Sequence, residues 1–207
     1  MTGQFIISVF DSIPTWVMLL PIFICSVAVL AVFIERMIFF YGINIDYRLL
    51  MASISAKLRE AQPESALALC APYKGPLVEM IRQMIASAKD EGDSELTMRN
   101  IAEKAVRSVE RFGTLIATIG TVAPMFGLLG TVTGMMKSFS SLSDFGRSSH
   151  DLLAQGITEA LITTALGLTV AIPAIIFYNY LVSKVEVFTK EAEYIANIFI
   201  ELEKTAA

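Results

Sequence analysis

Residues 115–139 read LIATIGTVAPMFGLLGTVTGMMKSF, a stretch of membrane length with no charge before Lys137. Its middle is spent on glycine, proline and threonine rather than leucine. A span that only anchors has no use for them. Small residues let helix backbones approach closely, and hydroxyls inside a bilayer give a shared polar path. This segment must therefore fold against other helices.

The rest of the chain agrees. Hydrophobic residues make up 55% of the 207 positions, charged ones 17%, and the mean hydropathy is +0.62, values typical of an integral membrane protein. Three windows lack charge over a membrane length: between Asp11 and Glu35, between Arg111 and Lys137, and between Glu159 and Lys184. The loop from Arg36 to Arg111 carries eleven Lys and Arg residues, the tail adds Lys184, Lys190 and Lys204, and the first fourteen residues have none. The positive-inside rule places loop and C-terminus in the cytoplasm and the N-terminus outside. With no basic n-region and no small-residue cleavage site, the first span is expected to be retained.

The fold expected is an all-α membrane protein with three transmembrane helices and long cytoplasmic helical extensions. Its parts are an outer N-terminal segment (1–14), spans at 15–35, 112–137 and 157–182, a cytoplasmic helical loop (36–111), a short outer connection (138–156) and a cytoplasmic C-terminal helix (183–207). The N-terminal segment is mildly amphipathic and suits the outer interface. In the loop, Pro63 and Pro76 sit at favourable first-turn positions for short helices, and KDEGDSE with Gly92 is a break. Ile101, Ala105, Val109, Phe112 and Ile116 predict a helix running unbroken into the second span. After the third span, Leu181, Val185, Phe188, Ala192, Ile195, Phe199 and Leu202 form a three-repeat heptad seam, serving either packing on the chain's own loop or bundling of several tails.

The second span places Gly113, Gly120, Gly127 and Gly134 seven apart, with Gly130 completing GTVTG. The third has Gly156, Ala160, Thr164, Gly167, Ala171 and Ala174. Both stripes are packing devices first. Thr131, four residues after Gly127, and Thr164 put a hydroxyl on each smooth face, at similar depth if the spans are antiparallel. Pro124 and Pro173 free backbone carbonyls for neighbours or water, so a weakly polar, hydrated seam is expected.

No Asp, Glu, Lys, Arg or His lies deep in any span. Glu159 comes nearest, about 140° around the helix from Thr164; it reads as an interfacial carboxylate or an ion entrance. A moving proton would need a carrier from another chain. His150 is a lone surface histidine, Cys25 and Cys70 fall on opposite sides of any redox boundary, and there is no metal cluster, phosphate loop or nucleophile–base pair. An enzyme, a cofactor and a nucleic-acid partner are not expected.

The blocks APMFGLLGTVTGMMKSF (123–139) and GITEALITTALGLTVAIPAIIFYN (156–179), with Glu35-Arg36 ending the first span, resemble the MotA/TolQ/ExbB family of proton-channel subunits, in its TolQ and ExbB branch. The resemblance implies a bacterial inner-membrane homopentamer around single-span helices of an ExbD- or TolR-like partner. An aspartate on that partner would carry the proton, and rotation would drive a TonB- or TolA-like transducer. By motif position Thr131 and Thr164 line the route, Glu159 is the family carboxylate, and Pro124 and Pro173 are family prolines, beside the packing residues Gly127, Gly130, Gly134 and Gly167. Many relatives carry an aromatic where this chain has Thr133 and alanine where it has Thr163. The extra hydroxyls bring sodium into consideration, but protons are favoured because neither position lies squarely on the inferred seam. The rival readings are a non-conducting oligomeric scaffold and a sodium-driven or motility stator; three spans without an internal repeat argue against a solute carrier.

Overall fold

The computed structural model describes residues 15–41, 47–87, 94–145 and 150–206, all helical apart from short turns. The N-terminal segment and the break around Gly92 lie outside the described residues. The helices are α1 (Thr15–Tyr41), α2 (Tyr47–Arg59), α3 (Pro63–Leu69), α4 (Pro76–Ser87), α5 (Ser94–Glu110), α6 (Gly113–Phe145) and α7 (His150–Ala206). Pro63 and Pro76 open α3 and α4, where a missing N–H costs nothing. Among the described residues, three helical stretches are long and apolar enough to cross a membrane: Leu19–Phe40, Glu95–Ser140 and Leu153–Thr205.

The chain divides into two units. One comprises the described residues up to Ile34 together with those of Thr114–Asn179. Its contacts come from α1 (Ile22, Val29, Val32), α6 (Ile116, Ile119, Ala123) and α7 (Ala160, Ala171, Ala174), all buried. Phe33 meets Phe177 edge-on at 4.7 Å. The opposite side of α1 exposes Phe23, Ile24, Val27, Leu30 and Ile38, as a helix solvated by hydrocarbon would.

The second unit comprises Glu35–Gly113 and the chain from Tyr180 onward. Here the heptad stripe of α7 is occupied by the chain's own loop: Phe188, Ala192, Ile195 and Phe199 join one cluster with residues of α2, α4 and α5 that include Ile54, Ile81 and Met98. Full burial of such side chains is worth about 1.5–3 kcal/mol each. The Lys204–Glu95 pair at 3.2 Å is exposed and screened by solvent, so the apolar cluster dominates this packing. The Tyr47 hydroxyl and Glu191 Oε2 are buried without hydrogen-bond partners; burial first, then the Glu191 charge, pushes the phenol up to about 12.

The helix expected to run unbroken from Ile101 to Ile116 is interrupted: α5 ends at Glu110 and Arg111–Phe112 form a turn before α6. The physical cause comes from outside the segment. Arg36 Nη1 donates to the Val109 carbonyl at 3.2 Å, the acceptor that an unbroken helix would pair with the Gly113 amide. The guanidinium carbon lies 4.9 Å from the Phe39 ring centroid and 4.8 Å from that of Phe112. Its Nε stands 2.9 Å from the Glu35 carboxylate without hydrogen-bond alignment, so that contact is Coulombic. Arg36 is only 4% exposed. Arg36→Met should cost about 2 kcal/mol through the lost charged hydrogen bond and ring contacts. Arg36→Lys should not restore it, since an ammonium lacks the planar fork. Thermal unfolding followed by circular dichroism checks this; an unchanged midpoint would mean that these contacts only balance the cost of burying the charge.

Candidate functional site

The site is the line along which α6 and α7 pack, and glycines set its register. A Cβ added at Gly134 would lie 3.0 Å from Ala160 Cβ, and one at Gly156 would overlap Ser138 Oγ. At Gly130 it would meet the Thr163 side chain at 2.5 Å, and at Gly127 the Thr163 carbonyl and Thr164 Cα at 3.0 Å. At Gly167 it would stand 2.7 Å from the Ala123 carbonyl oxygen, and at Gly120 2.8 Å from Ile175. As numbers rise on α6 they fall on α7, so the helices are antiparallel and the two small-residue stripes face each other within one chain. Gly113, at the start of the α6 stripe, has open space around it and takes no part. A line that refuses single methyl groups also refuses water. The expectation of a hydrated seam therefore does not hold for the α6–α7 contact itself.

The hydroxyls divide between the contact and its margin. Thr164 Oγ1 donates across the helices to the Gly127 carbonyl at 3.1 Å and is half-buried. Thr131 Oγ1 donates within its own helix to Leu128 O at 2.7 Å. Since Gly127 lies beside Thr164 and Gly134 beside Ala160, Thr131 sits about one turn, roughly 6 Å, nearer the Glu159 end. The residues set aside in the sequence are the buried ones. Thr163 is 2% exposed, donating to Ala160 O at 2.7 Å, with Gly127 O at 3.5 Å. Thr133 is 6% exposed and bonded to Leu129 O and Gly130 O, both at 3.1 Å. Thr163 thus belongs on the seam, contrary to expectation. The signal was present: it stands four residues before Gly167, the same spacing that joins Thr131 to Gly127.

Glu159 is half-buried, and its carboxylate accepts a hydrogen bond from Gln155 Nε2 at 3.4 Å. Pro124 and Pro173 lie inside α6 and α7 without ending either helix; each removes one donor, toward the carbonyls of Gly120 and Thr169. Among the described residues no group of three His, Cys, Asp or Glu side chains has a metal-holding arrangement. The chemistry on offer is hydrogen bonding by hydroxyls and carbonyls. No Asp, Glu, Lys, Arg or His occurs from Phe112 to Met136 or from Ala160 to Ser183.

Residues 73–194 match the MotA/TolQ/ExbB proton channel family. The chain is 33% identical over 165 residues to a putative biopolymer transport protein ExbB-like 3 of Synechocystis, covering 77% of each chain. It is 41% identical over 98 residues to the Tol-Pal system protein TolQ of Haemophilus influenzae, covering 46% of this chain and 43% of that one. It is 40% identical over 97 residues to the biopolymer transport protein ExbB of Salmonella typhimurium, covering 45% and 39%. The chain thus spans most of the first relative and under half of the other two. On the family match over more than half its length, and on these relatives, the chain belongs to the MotA/TolQ/ExbB proton channel family.

Proposed function

We propose that this chain is an inner-membrane proton-channel and motor subunit, not an enzyme. It forms a homopentameric ring around a single-span partner of the ExbD or TolR kind and energises a TonB- or TolA-like transducer acting on the outer membrane. The N-terminus is periplasmic and the C-terminus cytoplasmic. The observation that carries this reading is a close-packed pair of membrane-length helices with hydroxyls at its margin and no carrier of its own.

The chemistry follows from the hydroxyl inventory. The Thr164 hydroxyl hydrogen is committed to the Gly127 carbonyl, so outward it offers lone pairs. Lone pairs accept from a protonated carboxylic acid and repel a carboxylate. A partner carboxyl reaching Thr164 is therefore favoured in its neutral form, which also lowers the cost of its place in the membrane. Thr131, one turn nearer the outer end, and Glu159 lead protons to it. Neutralisation at one subunit frees the partner to turn to the next, and five ring sites around fewer core helices are never all satisfied together.

Two measurements test this: the mass and composition of the complex gently extracted from its native membrane, and ion flux in vesicles containing it. Five copies with a one-span protein bearing a membrane aspartate, and flux that persists without sodium, are expected. Recovery of a homo-oligomer alone would leave the scaffold reading standing. Flux that needs sodium would replace the proton.

A further inference from the structure

The outward surface of α6 changes character halfway along. Thr114, Thr118 and Thr121 are exposed and spaced four and three apart, which stacks them on one helix face. Continuing along that side, the exposed residues become Met125, Leu128 and Val132. Thr118 donates to Thr114 O at 2.8 Å and Thr121 to Ala117 O at 3.1 Å, so each keeps its lone pairs turned outward. Back-bonded threonine is tolerated in lipid one at a time. Three in line are a different matter, because among its described side chains the exposed side of α1 carries large apolar residues and, of hydroxyls, Ser26 alone. On α7 the exposed Thr158 and Thr169 stand about 16 Å apart along the axis, too far to form such a line.

This hydroxyl line does not continue Thr131. At about 100° per residue, Thr131 lies roughly 80–140° around α6 from Thr114, Thr118 and Thr121. The two sets also occupy opposite halves of the helix, on either side of Pro124. We propose that Thr114, Thr118 and Thr121 line a water-accessible exit half-route open to the cytoplasm, set on a different face of α6 from the entry at Thr131. The inference rests on the proposed function for the direction of flow. It adds a physical reason for rotation: with entry and exit on different faces, no continuous wire crosses the membrane, and a carrier loaded at one face discharges only after moving to the other.

Thiol labelling tests it in the intact complex with its one-span partner, in inside-out vesicles, on a Cys25→Ser background; Cys70 is fully buried and stays. Thr118→Cys and Thr121→Cys are treated with a membrane-impermeant methanethiosulfonate carrying a quaternary ammonium. Leu30→Cys, exposed on the apolar face of α1, is the control. A thiol in hydrocarbon loses about tenfold in thiolate for each unit its pKa rises, so the two test sites should react at least about tenfold faster than the control. They should react from the cytoplasmic side only, and labelling should block flux. Rates equal to the control, or equal labelling from the periplasmic side, would overturn the exit. Should the cysteine variants not assemble, Thr121→Val keeps the side-chain shape and should cut flux at least about fivefold; full flux would overturn the proposal equally. Labelling reads water access directly. It can therefore succeed where the Thr131 and Thr164 route fails, or fail where that route holds.

Discussion

Gly167→Ala is expected to separate α6 from α7. The new methyl group would stand 2.7 Å from the Ala123 carbonyl oxygen, 3.2 Å from Gly127 Cα and 3.3 Å from Gly127 N. All three are backbone atoms of a helix, so no rotamer change relieves the overlap. The helices must move apart, and overpacking of this kind costs about 1–3 kcal/mol. The shift also strains the 3.1 Å bond from Thr164 to Gly127 O, next to the contact. The expected result is a lower melting midpoint and a lower yield of assembled complex in size-exclusion chromatography. Gly113→Ala is the matched comparison, since a Cβ there meets nothing within 4 Å, and it should assemble normally. A Gly167→Ala protein that melts and assembles like the parent would show that the seam tolerates a methyl group and that its register is set elsewhere.

That glycine was legible in the sequence, because heptad spacing of small residues has one physical meaning in a membrane. Long apolar windows without charge and the turn chemistry of Pro63 and Pro76 are likewise local signals, and the helices answer to them. The failures have a common source in contacts distant along the chain. Nothing between Ile101 and Ile116 breaks a helix locally; the turn at Arg111–Phe112 goes with Arg36, seventy-three residues from the Val109 carbonyl it bonds. The heptad stripe of α7 cannot itself say whether it meets its own loop or another tail; the cluster with Ile54, Ile81 and Met98 answers that for one chain. Thr163 was misplaced because the stripe was drawn through Thr164. The two are neighbours about 100° apart on the helix, and the buried contact takes the first while leaving the second at its margin.

Thr164 at that margin carries the second large effect, on activity rather than stability. Thr164→Val keeps the side-chain shape and removes one oxygen. The Gly127 carbonyl that accepted its hydrogen lies inside α6, where its helical partner is the Thr131 amide, so it is not left bare. The stability cost should stay under about 1 kcal/mol. A partner carboxyl arriving at this subunit would, by contrast, lose its acceptor in a medium with no substitute. Leaving that buried donor unsatisfied costs about 1–3 kcal/mol, and each 1.36 kcal/mol is tenfold in rate. Proton flux in vesicles holding the complete complex should therefore fall about 10- to 100-fold, with assembled mass unchanged. Thr164→Ser, which restores the oxygen, should recover most of it. Thr131→Val should act in the same direction, since its hydroxyl is satisfied by Leu128 O and likewise turns only lone pairs outward. Full flux in both valine variants would remove the threonines from the ion route and leave them as packing residues beside the glycines.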